Sequence, residues 1–330
     1  MLKKIFTLYT KYFAVWIIVF GIIAYFFPKP FLAVSDFNQW FFAITMFGIG
    51  MVLRVEDFRK IVKNPLIVLI GSAAQFTLMP LGAYIAAKLF SLPDELAVGL
   101  IITGAAPGAM SSNVMSYMAK ADTAYSVSLT TVSTMLCPIV TPLLILLLAG
   151  TRLPVEVGKM MADLAMMVIL PLVIGITIRY HFERAVKKIE DVFPAISITF
   201  IIFICSLVIA ANRDYLVRMT GILAAVGLVL NLFGMAGGYG VGKLFRMGTI
   251  RSRTLSIEIG MQNAGLGVIL AKNNFGDRAA MPAAFFVFIC IITASLAAEY
   301  WRRDKPSGKS GLDKQGIYNE NNPQTAEYQH

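Results

Sequence analysis

Charge is what this sequence has least of. Only 15% of its 330 residues are Asp, Glu, Lys or Arg, against 57% hydrophobic residues, where a soluble domain carries roughly 25% charged residues. The mean hydropathy is +0.71, and a soluble globular protein is excluded. Histidine is almost missing, with His181 and His330 the only two, and there are three cysteines, Cys137, Cys205 and Cys290. Neither a zinc centre nor a disulfide framework can be assembled from that inventory, and cysteines within apolar runs read as small packing residues. No run alternates apolar and polar residues at period two, which excludes a membrane β-barrel and leaves helices. A net charge of +10 would ordinarily raise nucleic acid as a partner. The basic residues instead sit in connectors between apolar runs, as a membrane protein requires.

What the chain has in abundance is apolar runs near the ~20 residues that cross a bilayer as a helix. Ten are expected, at about 13–27, 38–53, 65–90, 95–118, 123–149, 158–179, 194–212, 219–243, 254–272 and 279–301. The fold class is therefore an all-α polytopic membrane protein. Connectors on the N-terminal side of the membrane hold 21 of the 29 Lys and Arg, and the opposite side holds the remaining 8. That bias predicts ten transmembrane helices and a multi-pass protein of the cell membrane with both termini cytoplasmic. Lys3, Lys4 and Lys11 precede the first run as in a signal peptide. No small-residue cleavage pattern follows, so the run is expected to stay as the first helix. Residues 1–302 form the transmembrane domain. Residues 303–330, rich in Asn, Gln, Glu, Lys and Gly, are expected to be a polar cytoplasmic tail without a fixed fold.

Five helices plus five, an odd number in each half, predicts halves of opposite orientation, the inverted repeat of many secondary transporters. Two runs are interrupted at corresponding places. Pro107-Gly108 breaks the fourth, with Ser112-Asn113 following; Gly260 breaks the ninth, with Gln262-Asn263 following, and Asn113 and Asn263 stand 150 residues apart. Paired interruptions of this kind point to a binding site.

The ninth run also holds Glu258, the one acidic residue far from any segment end. A charged residue at the centre of a membrane helix costs roughly 2.5–3.5 kcal/mol, so it needs company. A buried ion pair would need an intramembrane Lys or Arg, and none lies away from the segment ends. A protonated Glu would imply proton coupling. A bound cation is the third possibility, and the surrounding residue types suit it. Gln75, the hydroxyls Ser126, Ser128, Thr130, Thr131, Ser133 and Thr134, and Gln262 and Asn263 all lie at membrane depth. Ser126 and Thr130 share a helix face, as do Thr130 and Thr134. Such hydroxyls either bond back to the carbonyl four residues earlier or offer oxygen to a hard cation. The break at Pro107-Gly108 should free carbonyls before it and amides after it, the latter suited to an anionic group. Two rivals stand beside sodium coupling: a proton-coupled transporter or cation/proton antiporter of similar inverted-repeat plan, and a membrane-embedded enzyme or sensor. No His-carboxylate motif or Cys-His pairing supports the last, so no catalytic residue is assigned.

Over roughly residues 1–302 the chain resembles the bile acid:sodium symporter family, in particular bacterial homologues of the apical sodium-dependent bile acid transporter. Three stretches carry the resemblance: Met46-Phe47-Gly48-Ile49-Gly50-Met51; Pro107-Gly108 through Ser112-Asn113-Val114-Met115 with Ser116-Tyr117; and Ile257-Glu258-Ile259-Gly260-Met261-Gln262-Asn263. The resemblance implies a panel domain (segments 1, 2, 6 and 7) and a core domain (3, 4, 5, 8, 9 and 10), with segments four and nine unwound and crossing. It implies two sodium ions, the first held by Ser112, Asn113, Ser126, Thr130 and Glu258, the second by Gln75, Glu258, Gln262 and the carbonyls of Ile259 and Met261. Substrate, a small organic anion (bile-acid-like, pantothenate-like or a keto acid), would lie near Asn263 and the residues around Ala109, including Met110 and Ser111. Two departures affect that surface: Ala109-Met110 stands where bacterial relatives often have Gly-Thr, and Cys290-Ile291 where some have His-Asn. Both make it more apolar. No obligate protein partner is evident.

Overall fold

A computed structural model describes Tyr9 and residues 12–53, 65–190 and 192–303. Lys3, Lys4 and Lys11, the basic connector from Arg54 to Lys63 and the tail from residue 304 lie outside the described residues.

All regular structure among the described residues is helical. The principal helices are α1 (Phe13–Phe26), α2 (Asn38–Val52), α3 (Pro65–Leu89), α4 (Asp94–Ala105), α5 (Ser111–Met118), α6 (Thr123–Ala149), α7 (Val157–His181), α8 (Val192–Ala211), α9 (Arg213–Leu244), α10 (Gly248–Gly260), α11 (Ala264–Phe275) and α12 (Met281–Arg303). α7 passes without interruption through one π-helical turn at Ala165–Ile169. Six of them, α3, α6, α7, α8, α9 and α12, are long and apolar enough to cross a membrane. Their outer faces are apolar: Leu66, Leu147, Val217 and Leu296 are 65–76% exposed. In water each such side chain would forfeit about 25 cal/mol per Å² of apolar surface; against lipid tails it forfeits nothing. The molecule is a multi-pass membrane protein.

Segments four and nine are each two helices. α4 and α5 are separated by residues 106–110, and α10 and α11 by residues 261–263. At about 1.5 Å per residue, a 12-residue helix such as α4 or α11 reaches roughly halfway through a hydrocarbon core of about 30 Å.

Two boundaries differ from the sequence expectation. α9 begins at Arg213 and α10 at Gly248, each about two turns before the apolar run begins. Hydropathy marks the length of helix in contact with lipid tails, whereas hydrogen bonding continues into the polar margin. Arg251 and Arg253 are therefore helical residues and not connector residues. The Arg251 Nε lies 3.2 Å from Asp122 Oδ2, and the Arg253 guanidinium sits 5.8 Å from the centre of the Trp301 ring.

The helices pack in two sets. α8 lies against α1 and α2, and α2 against α7; α3, α4, α6, α9, α10, α11 and α12 pack among themselves, with thinner contact between the sets. One close approach in the second set is α9 on α10, where a Cβ at Gly238 would run into the Leu255 carbonyl and lie 3.0 Å from the Ser256 Cα. Lipid offers no hydrophobic drive for helix association, so contact of this kind relies on small residues that bring backbones together.

Candidate functional site

The two interruptions meet. Beyond α4, Ala106 is extended (φ −65°, ψ 153°), and beyond α10, Met261 is extended as well (φ −107°, ψ 99°). Asn263 N donates to the Pro107 carbonyl at 2.8 Å, and Ala109 N to the Met261 carbonyl at 3.0 Å, which pairs Gly108 with Gln262 in an isolated antiparallel bridge. Each break thus satisfies backbone groups of the other, where an unpaired one at membrane depth costs several kcal/mol. Gly108 N donates to Ser133 Oγ at 3.2 Å. The first two amides after Pro107 are consequently engaged, which corrects the expectation that they stand free for an anionic group.

Glu258, 2% exposed, lies in the last turn before the second break. Its Oε2 accepts from Ser112 Oγ at 2.5 Å and from Ser126 Oγ at 2.7 Å, and its Oε1 accepts from Thr130 Oγ1 at 2.5 Å. The hydroxyls come from α5 and α6, with Ser126 and Thr130 one turn apart on the same face. Gly108 closes the far side, since a Cβ there would meet Glu258 Oε1.

Further oxygens surround these. Ser112 Oγ is 2.6 Å from the Ala109 carbonyl and 3.4 Å from Ser126 Oγ. Thr130 Oγ1 is 3.0 Å from the Ser126 carbonyl and 3.5 Å from Asn113 Oδ1. With Glu258 ionised, seven oxygen–oxygen approaches within 3.5 Å share three hydroxyl protons, so at least four of them then hold no proton. A cluster rich in oxygen and poor in protons is the environment a hard cation relieves. Among the described residues no three His, Cys, Asp or Glu gather as ligands of a more highly charged metal would.

A second polar group lies on the other side of the break. Gln75 Nε2 of α3 donates to Gln262 Oε1 at 2.7 Å, and Gln262 Nε2 donates to the Ile259 carbonyl at 3.1 Å. Gln75 Oε1 is buried with no donor among the described residues. The hydrogen bonds of Glu258 among the described residues run to the three hydroxyls and not to this group.

The other predicted residues are distributed unevenly. Ala109, Met110 and Ser111 are half-buried at the first break and Asn263 at the second. Asn263 caps α11, its Oδ1 accepting from Leu266 N at 3.1 Å. Asn113 Nδ2 points to Met110 Sδ at 3.6 Å. Cys290 and Ile291 are buried in the main apolar core on α12. Of the remaining hydroxyls of α6, Ser128 and Thr131 bond back to the carbonyls of Ala124 and Val127, at 2.9 and 2.7 Å. Ser133 serves the first break as described, and Thr134 is buried nearby.

Two participants escaped the sequence reading. Thr141 of α6 donates to the Ala105 carbonyl at 2.7 Å, and Asn231 of α9 donates to the Gly260 carbonyl at 2.8 Å. A lone Asn in the apolar run of α9 was a visible signal. Thr141 was not, because an intrahelical threonine usually serves its own helix.

Comparison with known sequences agrees with this geometry. The chain is 37% identical over 311 residues to an uncharacterized sodium-dependent transporter, YocS, of Bacillus subtilis, covering 94% of this chain and 97% of that one. It is 34% identical over 264 residues to the probable chloroplastic sodium/metabolite cotransporter BASS1 of Arabidopsis thaliana, covering 80% of this chain and 66% of that longer one. It is 32% identical over 302 residues to the probable chloroplastic sodium/metabolite cotransporter BASS2 of rice, covering 91% and 72%. All three are described as transporters and none as an enzyme. The sequence model of the Sodium Bile acid symporter family matches residues 40–219, and with the relatives beside it the conclusion is that this chain belongs to that family of membrane transporters.

Proposed function

We propose that the protein is a sodium-coupled symporter that brings a small organic anion into the cell by alternating access. The observation that carries this reading is the Glu258 cluster, one buried carboxylate facing hydroxyl and carbonyl oxygens that outnumber the available protons. A proton bridges only two oxygens, whereas a sodium ion draws on several at once. The proton-coupled alternative is for that reason the weaker one.

In this reading sodium is co-transported substrate. One ion is held by Ser112, Asn113, Ser126, Thr130 and Glu258. A second is held by Gln75, Glu258, Gln262 and the carbonyls of Ile259 and Met261. The orphaned Gln75 Oε1 supports that second assignment, since a cation beside the Gln75–Gln262 pair would satisfy it. Sodium neutralises Glu258 and ties α5, α6 and α10 together, so the substrate surface beside the breaks forms properly only when the ions are bound.

Ten spans in a five-plus-five inverted repeat, with α4–α5 and α10–α11 as the crossing broken spans, fit the helix order. The two packing sets fit a panel of α1, α2, α7 and α8 against a core of the remaining helices. Substrate is bound beside the breaks, near Ala109, Met110, Ser111 and Asn263. Cys290 and Ile291 stand behind that surface on α12 and make it accept an apolar body behind the anionic group. Bile-acid-like, pantothenate-like and keto-acid anions all meet that description. Movement of core against panel then opens the site to the cytoplasm, the side on which both termini lie.

Thermal unfolding of the purified chain at constant ionic strength tests the ion. Sodium should raise Tm where potassium does not, by a shift corresponding to about 2.7 kcal/mol at one hundred times Kd. Glu258→Gln should fold and lose that response. Stabilisation by low pH in place of sodium would overturn the reading in favour of proton coupling.

A further inference from the structure

Each broken span ends its first half at a carbonyl that has lost its intrahelical partner, at Ala105 in α4 and at Gly260 in α10. Each of these is capped from outside, and by the same device. A polar side chain from the middle of an unbroken neighbouring helix reaches across: Thr141 Oγ1 of α6 to Ala105 O at 2.7 Å, and Asn231 Nδ2 of α9 to Gly260 O at 2.8 Å. Thr141 and Asn231 are both fully buried, and neither approaches Glu258 or the hydroxyls around it through any hydrogen bond among the described residues.

We propose that Asn231 and Thr141 are positioning residues of the ion site: Asn231 fixes the directions of the ligand carbonyls at the second break, Thr141 fixes the path of the first break that leads to the ligand Ser112, and neither touches the ion. The proposal rests on the sodium-site reading and adds to it two residues outside the proposed ligand sets. The reasoning for Asn231 starts from backbone geometry. Met261 is extended (φ −107°, ψ 99°), so the carbonyls of residues 260 and 261 point to opposite sides. Holding Gly260 O toward α9 turns Met261 O the other way, toward the first break, where it accepts from Ala109 N at 3.0 Å. A carbonyl oxygen has two lone pairs, so Met261 O remains able to ligate a cation while it holds Ala109. Ile259 O, one residue before the anchored carbonyl, is fixed from its other side by Gln262 Nε2 at 3.1 Å. The Asn231 amide is thus the clamp between two proposed ligands.

Stability alone does not account for this side chain. Asn231 Oδ1 is buried with no hydrogen-bond partner among the described residues, and an unpaired buried acceptor offsets much of what the opposite end of the amide gains. An isosteric leucine would pack at that depth without such a loss. What leucine lacks is the N–H that orients Gly260 O.

Thr141 does the corresponding work at the first break. With Ala105 O anchored, the chain leaves α4 in the extended direction that carries Pro107 O to Asn263 N at 2.8 Å and Ala109 O to Ser112 Oγ at 2.6 Å.

Sodium titration of the full-length protein in nanodiscs, read by Tm and intrinsic fluorescence, tests this with Asn231→Leu, Asn231→Gln and Thr141→Val. Asn231→Leu and Thr141→Val should raise the half-saturating sodium concentration about tenfold or more while leaving Tm in sodium-free potassium buffer within a few degrees of the parent. Asn231→Gln, which retains an N–H donor, should recover most of the affinity. Should Asn231→Leu fail to fold, Thr141→Val decides by the same criterion. A parent that responds to sodium, with variants that titrate as it does, overturns this inference and leaves the proposed function standing. Equal losses of Tm in Leu and Gln variants with no change in sodium affinity would reduce Asn231 to a structural role and overturn it too. A parent with no sodium response defeats the proposed function itself, and this inference with it.

Discussion

At Gly108 the backbone passes so close to Glu258 that a Cβ would meet the carboxylate oxygen. The obstruction is not the end of a flexible chain, because Glu258 is held by Ser112, Ser126 and Thr130. Gly108→Ala must therefore displace either the carboxylate or the paired break. Overpacking of this kind costs about 1–3 kcal/mol, and each ~1.4 kcal/mol is tenfold in a dissociation constant. The variant should bind sodium roughly 5- to 150-fold more weakly, measured by thermal-shift titration. Parent-like affinity would mean that Glu258 does not hold the ion from this position. The same residue scale separates two kinds of hydroxyl on α6. Ser128 and Thr131 serve their own helix, while Ser126 and Thr130 face the carboxylate, a difference that follows from helix phase and not from residue type.

Among the elements, proline by itself does not break a span. Pro80 lies within α3, and Pro138 and Pro142 within α6; both helices continue through them. The interruption occurs where Pro107 adjoins Gly108 and where a second interrupted segment stands ready to receive the freed backbone groups. α10 is delivered to that place by α9, along which Gly238 admits the Leu255 and Ser256 backbone. Gly238→Val should push these helices apart and lower stability by about 1–3 kcal/mol. The Tm of the purified variant should fall by a similar amount with and without sodium. A fall confined to the sodium-bound form would instead make Gly238 part of the ion site.

For the whole molecule, the decisive quantity is the charge moved per cycle. If the proposed two sodium ions travel with one monoanion, one net positive charge moves inward, and the membrane potential then contributes about 2.3 kcal/mol per 100 mV. Transport in proteoliposomes should generate an inward current and slow on depolarisation. Electroneutral uptake of a monoanion would leave room for only one ion and would remove the Gln75–Gln262 group from the coupling scheme. The separation into two packing sets bears on the same cycle, because a thin interface permits the relative motion that alternating access needs.

The all-helical membrane character and the broken helices were legible in the chain because a bilayer leaves few alternatives: apolar length marks membrane helices, and a carboxylate within one marks a candidate site. Glu258, Ser126 and Thr130 could be selected that way, and Pro107-Gly108 and Gly260 located the breaks. The sequence could not reveal that the breaks hydrogen-bond to each other, which engages the Ala109 amide, or that Ser133 of α6 takes up the Gly108 amide. It also could not assign Asn231 and Thr141 to carbonyls 29 and 36 residues away. Local pattern reports what a residue would lose at membrane depth without a partner. Which partner answers it is decided by helices distant in sequence, and only their packing brings donor and acceptor together.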